Sequence, residues 1–469
     1  MVPDQWMRNS IHAIVSRDGT LLAECMTRVC ALDFFSNSPL TTSVDIPAEV
    51  GSLRKHMLAT VDLNQSDAVQ YVEVLCRIVM ARFVFLIASK NHDSDASNKL
   101  FFGLLFAFDA LQEVHMSDRS RWNPRTNVVG WDTVALIMLV HMVQDAARKA
   151  TELEDAVNQL VRNWRKLFIF MQSTDPQVPS EQSRRRGALA VVNGLLSILF
   201  QQNNTHQCRV LLNTIEASER AAENASDSLK SILRPASHLV AEVVKFRYYQ
   251  GRMKLYEKDF HVAFSSLQEA YSLLPAMGRG ANAAQSNNKL RIHFHLLVAG
   301  VACGLQPPQE VLDADSVCRR IFTPLLLAMT DGNAILFSKL IDEHGTILKR
   351  RGAYMILHQA RLLCYLFLLQ KVHVGLCAAG IDSSRIPLML VVSAAKFVSG
   401  ADALQPDDVA LSPERELKRH RVESESLEVD SIALWIARLI SREFVKGYVS
   451  YEHKMLVLSK QTPFPSLSR

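Results

Sequence analysis

The sequence predicts an all-α fold, a helical solenoid that ends in a winged helix, and three observations carry that prediction. From about Tyr71 to Phe367, apolar residues recur at helical spacing in one segment after another, with no strand between them. Glycine is scarce, 18 of 469 residues, roughly 4% against an average of about 7%. The end of the chain then changes order to helix, helix and hairpin, which is the order of a helix-turn-helix with a β wing.

The elements follow in sequence. Tyr71–Ala88 carries Val72, Leu75, Val79, Phe83 and Leu86 on one stripe. A polar gap, Asn91–Asn98, precedes the apolar Leu100–Leu111. The turn-rich Ser117–Gly130, with Pro124, separates this from Trp131–Ala147. Leu153–Met171 sets Leu160, Trp164, Leu167 and Phe168 on one face. Ser173–Arg186 holds Pro176, Pro179 and three consecutive arginines, so it reads as a loop or a helix start. Gly187–Phe200 and Gln207–Glu219 read as a helix pair.

Tyr248–Pro275 is more specific. Gly251, Ala263, Ala270 and Pro275 fall at the small-residue and proline positions of a tetratricopeptide-type (TPR-like) hairpin, with Asp259-Phe260 at the turn. Small residues there let two antiparallel helices approach closely. Lys289–Cys303, Asp315–Met329, Asn333–Glu343 and Ala353–Gln370 are four more amphipathic helices, with Gly332 and Gly345 at the breaks. Repeated helix pairs without strands favour right-handed stacking into a curved rod. Arg385–Val398 reads as a helix with Pro387 in its first turn. Ser399–Glu428 is polar and charged and reads as a mobile insertion. Asp430 then caps a helix with Ile432, Trp435, Ile436, Leu439, Ile440 and Phe444 on its apolar face. Gly447–Ser450, a turn at Tyr451–Lys454 and Met455–Ser459 complete a β-hairpin. Three regions result: helical repeats over 1–200, a TPR-like part over 201–375 and the winged helix over 376–469.

Composition narrows the function classes. Hydrophobic residues make up 48% and charged residues 21%, which excludes a wholly disordered chain. Lys and Arg number 52 against 47 Asp and Glu, a net charge of +5, so any nucleic-acid contact must come from a local patch. The eight cysteines form no C-x-x-C pair and several sit in apolar helical runs, the pattern of reduced thiols in a nucleocytoplasmic protein. The first ten residues have no apolar core of a signal peptide, and no apolar run is expected to span a bilayer, so no membrane insertion is expected. There is no G-x-S-x-G, Walker loop or H-E-x-x-H. Gly278–Gly280 imitates a dinucleotide loop but follows a helix and a proline. Cys25 and Cys30 lack companion ligands. His293 and His295, two residues apart in a helix, point to different faces, so neither a metal nor a cofactor is expected.

Two stretches carry a family resemblance. Phe444–Leu467, FVKGYVSYEHKMLVLSKQTPFPSL, resembles the C-terminus of the PCI-domain subunit of the transcription-export complex two (TREX two), which is involved in nuclear mRNA export. The PCI domain is named for the proteasome lid, the signalosome and eukaryotic initiation factor three. YYQGRMKLYEKDF and the run within Thr330–Tyr365, DGNAILFSKLIDEHGTILKRRGAYMILHQARLLCY, are further matches, with His358 where the family usually carries an acidic residue. The resemblance implies a TPR-like helical solenoid closed by a winged helix, and a non-enzymatic scaffold in the nucleus at the pore, with some cytoplasmic presence. Its implied partners are a larger PCI-containing scaffold protein, a small acidic disordered protein shared with the proteasome lid, and RNA or DNA. The alternative is a signalosome- or proteasome-lid-like assembly in which the winged helix only docks protein.

The basic residues supply the candidate nucleic-acid surface. Lys349, Arg350 and Arg351 stand at a turn, with Arg361 and Lys371 farther along, and the wing adds Lys446, His453, Lys454 and Lys460. The second helix of the winged unit offers only Ser431, Arg438, Ser441 and Arg442 on its polar side, so contact to the nucleic-acid backbone is expected instead of base readout. Arg184–Arg186 and Lys418–Arg421 read as import signals or exposed loops. Gly447 and Pro463–Pro465 read as structural, with Phe464 tucked against the solenoid.

Overall fold

The computed structural model describes residues 3–31, 34–35, 45–60, 66–117, 122–123, 128–150, 154–175, 178–179, 182–224, 231–233, 240–274, 283–400 and 429–466. Pro275, the Gly278–Gly280 loop, Lys418–Arg421 and nearly all of the expected insertion lie outside these residues. The chain is all-α and divides into two compact units, Met1–Tyr249 and Gln250–Arg469.

The first unit contains α1 (Asp4–Ser16), α2 (Gly19–Val29), α3 (Ile46–Thr60), α4 (Ser66–Lys90), α5 (Ala96–Met116), a two-residue ladder of β1 (Trp122–Asn123) and β2 (Val128–Val129), α6 (Thr133–Ala147), α7 (Glu154–Ser173), α8 (Ala188–Gln201), α9 (Thr205–Asn224) and the start of α10 (Val240–Glu257). The Asp18 carboxylate accepts from the backbone N–H groups of Thr20 and Leu21 and so starts α2. Ala188–Leu199 of α8 is buried throughout, packed among α6, α7, α9 and the Arg184–Gly187 turn. It reads as apolar all round because neighbours cover it on every side. Trp164 of α7 is fully buried and stands edge-on to Phe108 of α5, ring centroids 5.8 Å apart.

The three arginines before α8 are a correction to the expectation of an exposed loop. Arg184–Gly187 is a 3-10 turn with Arg184, Arg185 and Arg186 all buried. Arg186 donates to the carbonyls of Val129, Gly130 and Ser183. Arg185 donates to the carbonyls of Asp175 and Val178. Arg184 lies 3.5 Å from the Asp175 carboxylate and over the Phe170 ring. Loop carbonyls without helix or sheet partners need donors, and guanidinium groups supply several each.

The second unit takes the last turns of α10 and continues with α11 (Phe260–Ser272), α12 (Ala283–Cys303), α13 (Gln309–Asp313), α14 (Ser316–Asp331), α15 (Ala334–Glu343), α16 (Gly345–Arg350), α17 (Tyr354–Ala360) and α18 (Leu362–Ala378). The small-residue positions do what their spacing predicts. A Cβ on Gly251 would stand 2.5 Å from Leu267 Cγ, and Ala263 and Ala270 are fully buried, so α10 and α11 close tightly. The expected single helix over Ala353–Gln370 is instead two, divided at Arg361. Together they make one stretch, Tyr354–Ala378, long and apolar enough to cross a membrane, which corrects the expectation that no run approaches that length. Here its inner face packs against neighbouring helices as a core element does, with Leu362, Leu363, Cys364, Leu366, Leu368 and Leu369 buried.

The unit ends in β3 (Arg385–Pro387), α19 (Leu388–Ser399), α20 (429–441), β4 (Gly447–Ser450) and β5 (Met455–Leu458). The sheet order is β3-β5-β4, antiparallel throughout. This corrects the expected helix start. Arg385–Pro387 pairs with Val457–Met455 as a strand, and the helix begins only at Leu388. Asp430 lies within α20 and not at its cap; its carboxylate accepts from Tyr451 Oη at 2.6 Å.

Candidate nucleic-acid interface

The wing is built from short-range constraints. Leu456 and Leu458 of β5 point inward while Met455 and Val457 are half-buried, the period-2 pattern of a sheet with one covered face. The turn Tyr451–Lys454 closes the hairpin, with Lys454 in the left-handed region at φ 50°. A Cβ at Gly447 would stand 2.2 Å from the Val457 carbonyl oxygen, so only glycine fits where β4 meets β5. After β5 the chain runs back. Ser459 N–H donates to the Lys446 carbonyl, and Lys446 N–H donates to the Pro463 carbonyl, each at 2.8 Å. Phe464 then stands edge-on to His373 of α18 at 5.4 Å, tucked against the helical part.

α20 is fixed to the helices by aromatic stacking. Trp435 lies parallel to Tyr365 of α18, 5.1 Å apart at 13°. Arg361 and Arg438 stand 4.8 and 4.7 Å from the same indole ring. Arg361 also donates to Ser338 Oγ. Cations stacked on an indole are held in place, a contact worth about 0.5–2 kcal/mol each. The stack therefore sets the direction in which the C-terminal end of α20 leaves the core.

That end forms one wall of a groove of about 880 Å³. The opposite wall is the turn between α10 and α11, and the floor includes the last residues of α12. Lys258, Arg442 and Lys446 bring three cations to it, with His261 beside them, against the carboxylates of Asp259 and Glu443. Phe260 and Phe444 add half-buried rings. Both bounding turns leave their helices through the left-handed region, at Lys258 (φ 67°) and Glu443 (φ 60°). The Cys303 thiol among the lining residues is pushed up to about 12 by burial, which keeps it neutral at physiological pH. Cations with flanking rings suit a chain of phosphates carrying stackable bases.

The residues singled out from sequence are distributed around this groove unevenly. Lys446 lines it. His453 and Lys454 are exposed at the wing turn and Lys460 just after β5. Lys349 is exposed with its ammonium 4.7 Å from the Tyr354 ring centroid, and Arg350 is exposed. Arg351 turns inward: its guanidinium sits 4.4 Å over the Phe294 ring, and its carbonyl faces His295 Nε2 at 3.2 Å. Lys371 pairs with Asp331 at 3.2 Å. The C-terminal end of α10 links the Lys349–Arg351 turn to the groove, because Gly352 lies against Tyr256 and Arg252 while Lys258 follows at the groove wall. Lys258 and His261 were not among the candidates, and Arg442 was named only on the polar side of the second helix. Lys258 and His261 read as turn residues of an ordinary hairpin, and the return of the wing brings them into one groove with Arg442 and Lys446.

No protein-family model matches the chain. Among curated proteins it is similar to PCI domain-containing protein 2 of Danio rerio, 27% identical over 99% of this chain and 98% of that protein. The protein of the same name from Xenopus laevis is 26% identical over 63% of this chain and 61% of its own length. Protein CSN12 homolog of Neurospora crassa is 24% identical over 67% of this chain and 61% of its own length. The chain thus spans about three fifths of two of these relatives and almost all of the third. The recurrence of one name across species supports a PCI-domain protein.

Proposed function

We propose that this chain is a non-enzymatic PCI-type scaffold subunit of a nuclear mRNA-export assembly of the TREX two kind. In this reading it docks on a larger PCI-containing scaffold protein, holds a small acidic disordered partner and contributes its winged helix to a nucleic-acid surface. The groove between wing and hairpin is the observation that carries the nucleic-acid part, because Lys258, Arg442 and Lys446 converge there beside Phe260 and Phe444. Backbone phosphates are the matching ligand, since no polar row on α20 is arranged to read base edges. The expected residence is the nucleus, at the pore, with a cytoplasmic fraction.

The second reading is a signalosome- or proteasome-lid-like assembly whose winged helix docks protein alone, and the similarity to a protein named CSN12 homolog favours it. Purifying the native complex separates the two. The first reading expects a larger PCI scaffold and pore proteins among the subunits, with poly(A) RNA retained in nuclei after depletion. Lid or deneddylase subunits with a normal poly(A) distribution would overturn it.

A further inference from the structure

We propose that His293, Asp315 and Cys318 form a site for one thiophilic divalent cation of the zinc class, clipping α12 to α14. The three residues come from two helices and the link before the second. Their ligand atoms, an imidazole nitrogen, a carboxylate oxygen and the thiol sulfur, all lie within 4.8 Å of one another. His293 is 1% exposed and Cys318 fully buried. Asp315 is the N-cap of α14 and Cys318 stands three residues on, which puts both on one side of the first turn.

The same imidazole carries an orphaned atom. His293 Nε2 is buried and has no hydrogen-bond partner, and the ring stands beside Tyr271, with centroids 5.5 Å apart. Buried polar atoms without partners are uncommon and call for an explanation. A bare imidazole nitrogen in a cluster with a carboxylate and a thiol is what a metal ligand set supplies. Asp315 is anchored: Oδ1 accepts from Val317 N–H, which orients the carboxylate.

The donor set selects the ion. One thiolate, one neutral imidazole and one carboxylate suit zinc or cobalt, whereas magnesium and calcium take oxygen ligands. Binding follows a balanced exchange. The Cys318 thiol gives up its proton to solvent, the thiolate takes the cation, and a ring nitrogen of the neutral His293 contributes its lone pair. Without the cation, burial first and hydrogen bonding to Asp315 second hold the thiol protonated. The Lys289 ammonium, on the same helix as His293, and the Arg351 guanidinium, from the turn after α16, add positive charge near the cluster, and two anionic ligands offset a dication against them. His295 takes no part, since its two ring nitrogens face the carbonyls of Arg291 and Arg351. The site is separate from the groove and does not depend on the proposed export role.

Cobalt titration of the chelator-treated full chain tests the proposal. The expected result is one equivalent bound with a thiolate-to-cobalt charge-transfer absorption, displaced by zinc. Cys318→Ala should abolish that absorption, and Cys303→Ala should leave it. Asp315→Asn keeps a good N-cap but removes the carboxylate; it should weaken cobalt at least about tenfold with helicity unchanged. No charge-transfer absorption, or one that survives Cys318→Ala, would overturn the site. If Cys318→Ala fails to fold, an unchanged cobalt affinity in Asp315→Asn does the same.

Discussion

Two basic triplets in this chain look alike as sequence and end in opposite places. Arg184–Arg186 is buried in the first unit, its guanidinium groups spent on loop carbonyls. Lys349–Arg351 sits at a turn of the second unit, with two side chains exposed and the third laid over Phe294. The difference lies in what surrounds each triplet. An irregular loop between α7 and α8 leaves carbonyls that need donors, whereas the turn after α16 has its own hydrogen bonds, Arg351 N–H to the Ile347 carbonyl and Ala353 N–H to the Leu348 carbonyl. A run of cations is therefore a surface only where the nearby backbone is already satisfied.

The largest expected effect breaks this comparison from the inside. Arg186→Met removes the buried donor shared by three carbonyls and should cost about 3–5 kcal/mol in urea unfolding. Burial pushes that guanidinium down to about 10, so it remains charged at neutral pH and its loss is the loss of a bonded cation. A cost below about 1 kcal/mol would mean that the loop repacks without it.

A middle-sized effect lies beneath the exposed triplet. Desolvation, with the Arg252 guanidinium second, holds the His295 imidazole down at about 4, and this outweighs the two carbonyls that favour its protonated form. A histidine with a depressed folded value is neutral in both states above its ordinary pKa of about 6.5. As pH falls below that, the unfolded chain takes up the proton first. Stability should therefore be flat above pH 6.5 and fall by about 3 kcal/mol by pH 4. His295→Gln should flatten this limb, and an unchanged limb would assign the loss to other groups. The smallest effect belongs to the exposed pair: Lys349→Ala with Arg350→Ala should change stability by less than about 1 kcal/mol, mostly from the Lys349–Tyr354 contact.

The sequence made the local features legible and hid the distant ones. Gly251, Ala263 and Ala270 announce a close hairpin because helix approach depends on residues a few turns apart. The wing turn at Tyr451–Lys454 is equally local. The strand Arg385–Pro387 was hidden because its partner, β5, comes about seventy residues later, and Pro387 reads naturally as a helix start. The division at Arg361 was hidden because both halves continue the same apolar pattern. Of the groove's cations, Lys446 was legible as a wing residue and Arg442 as part of the polar side of the second helix, whereas Lys258 and His261 come to lie beside them only through the fold. The His293, Asp315 and Cys318 cluster escaped for the same reason, since spacing directed attention to His295 and away from α14.

The salt dependence of single-stranded RNA binding tests the central claim most directly. It compares the purified assembly carrying the native chain with one carrying Lys258→Glu, Arg442→Glu and Lys446→Glu together. Loss of three phosphate contacts should weaken binding at low salt and make the slope of log affinity against log salt shallower by about 2. Equal affinity and equal slope in both assemblies would contradict the account.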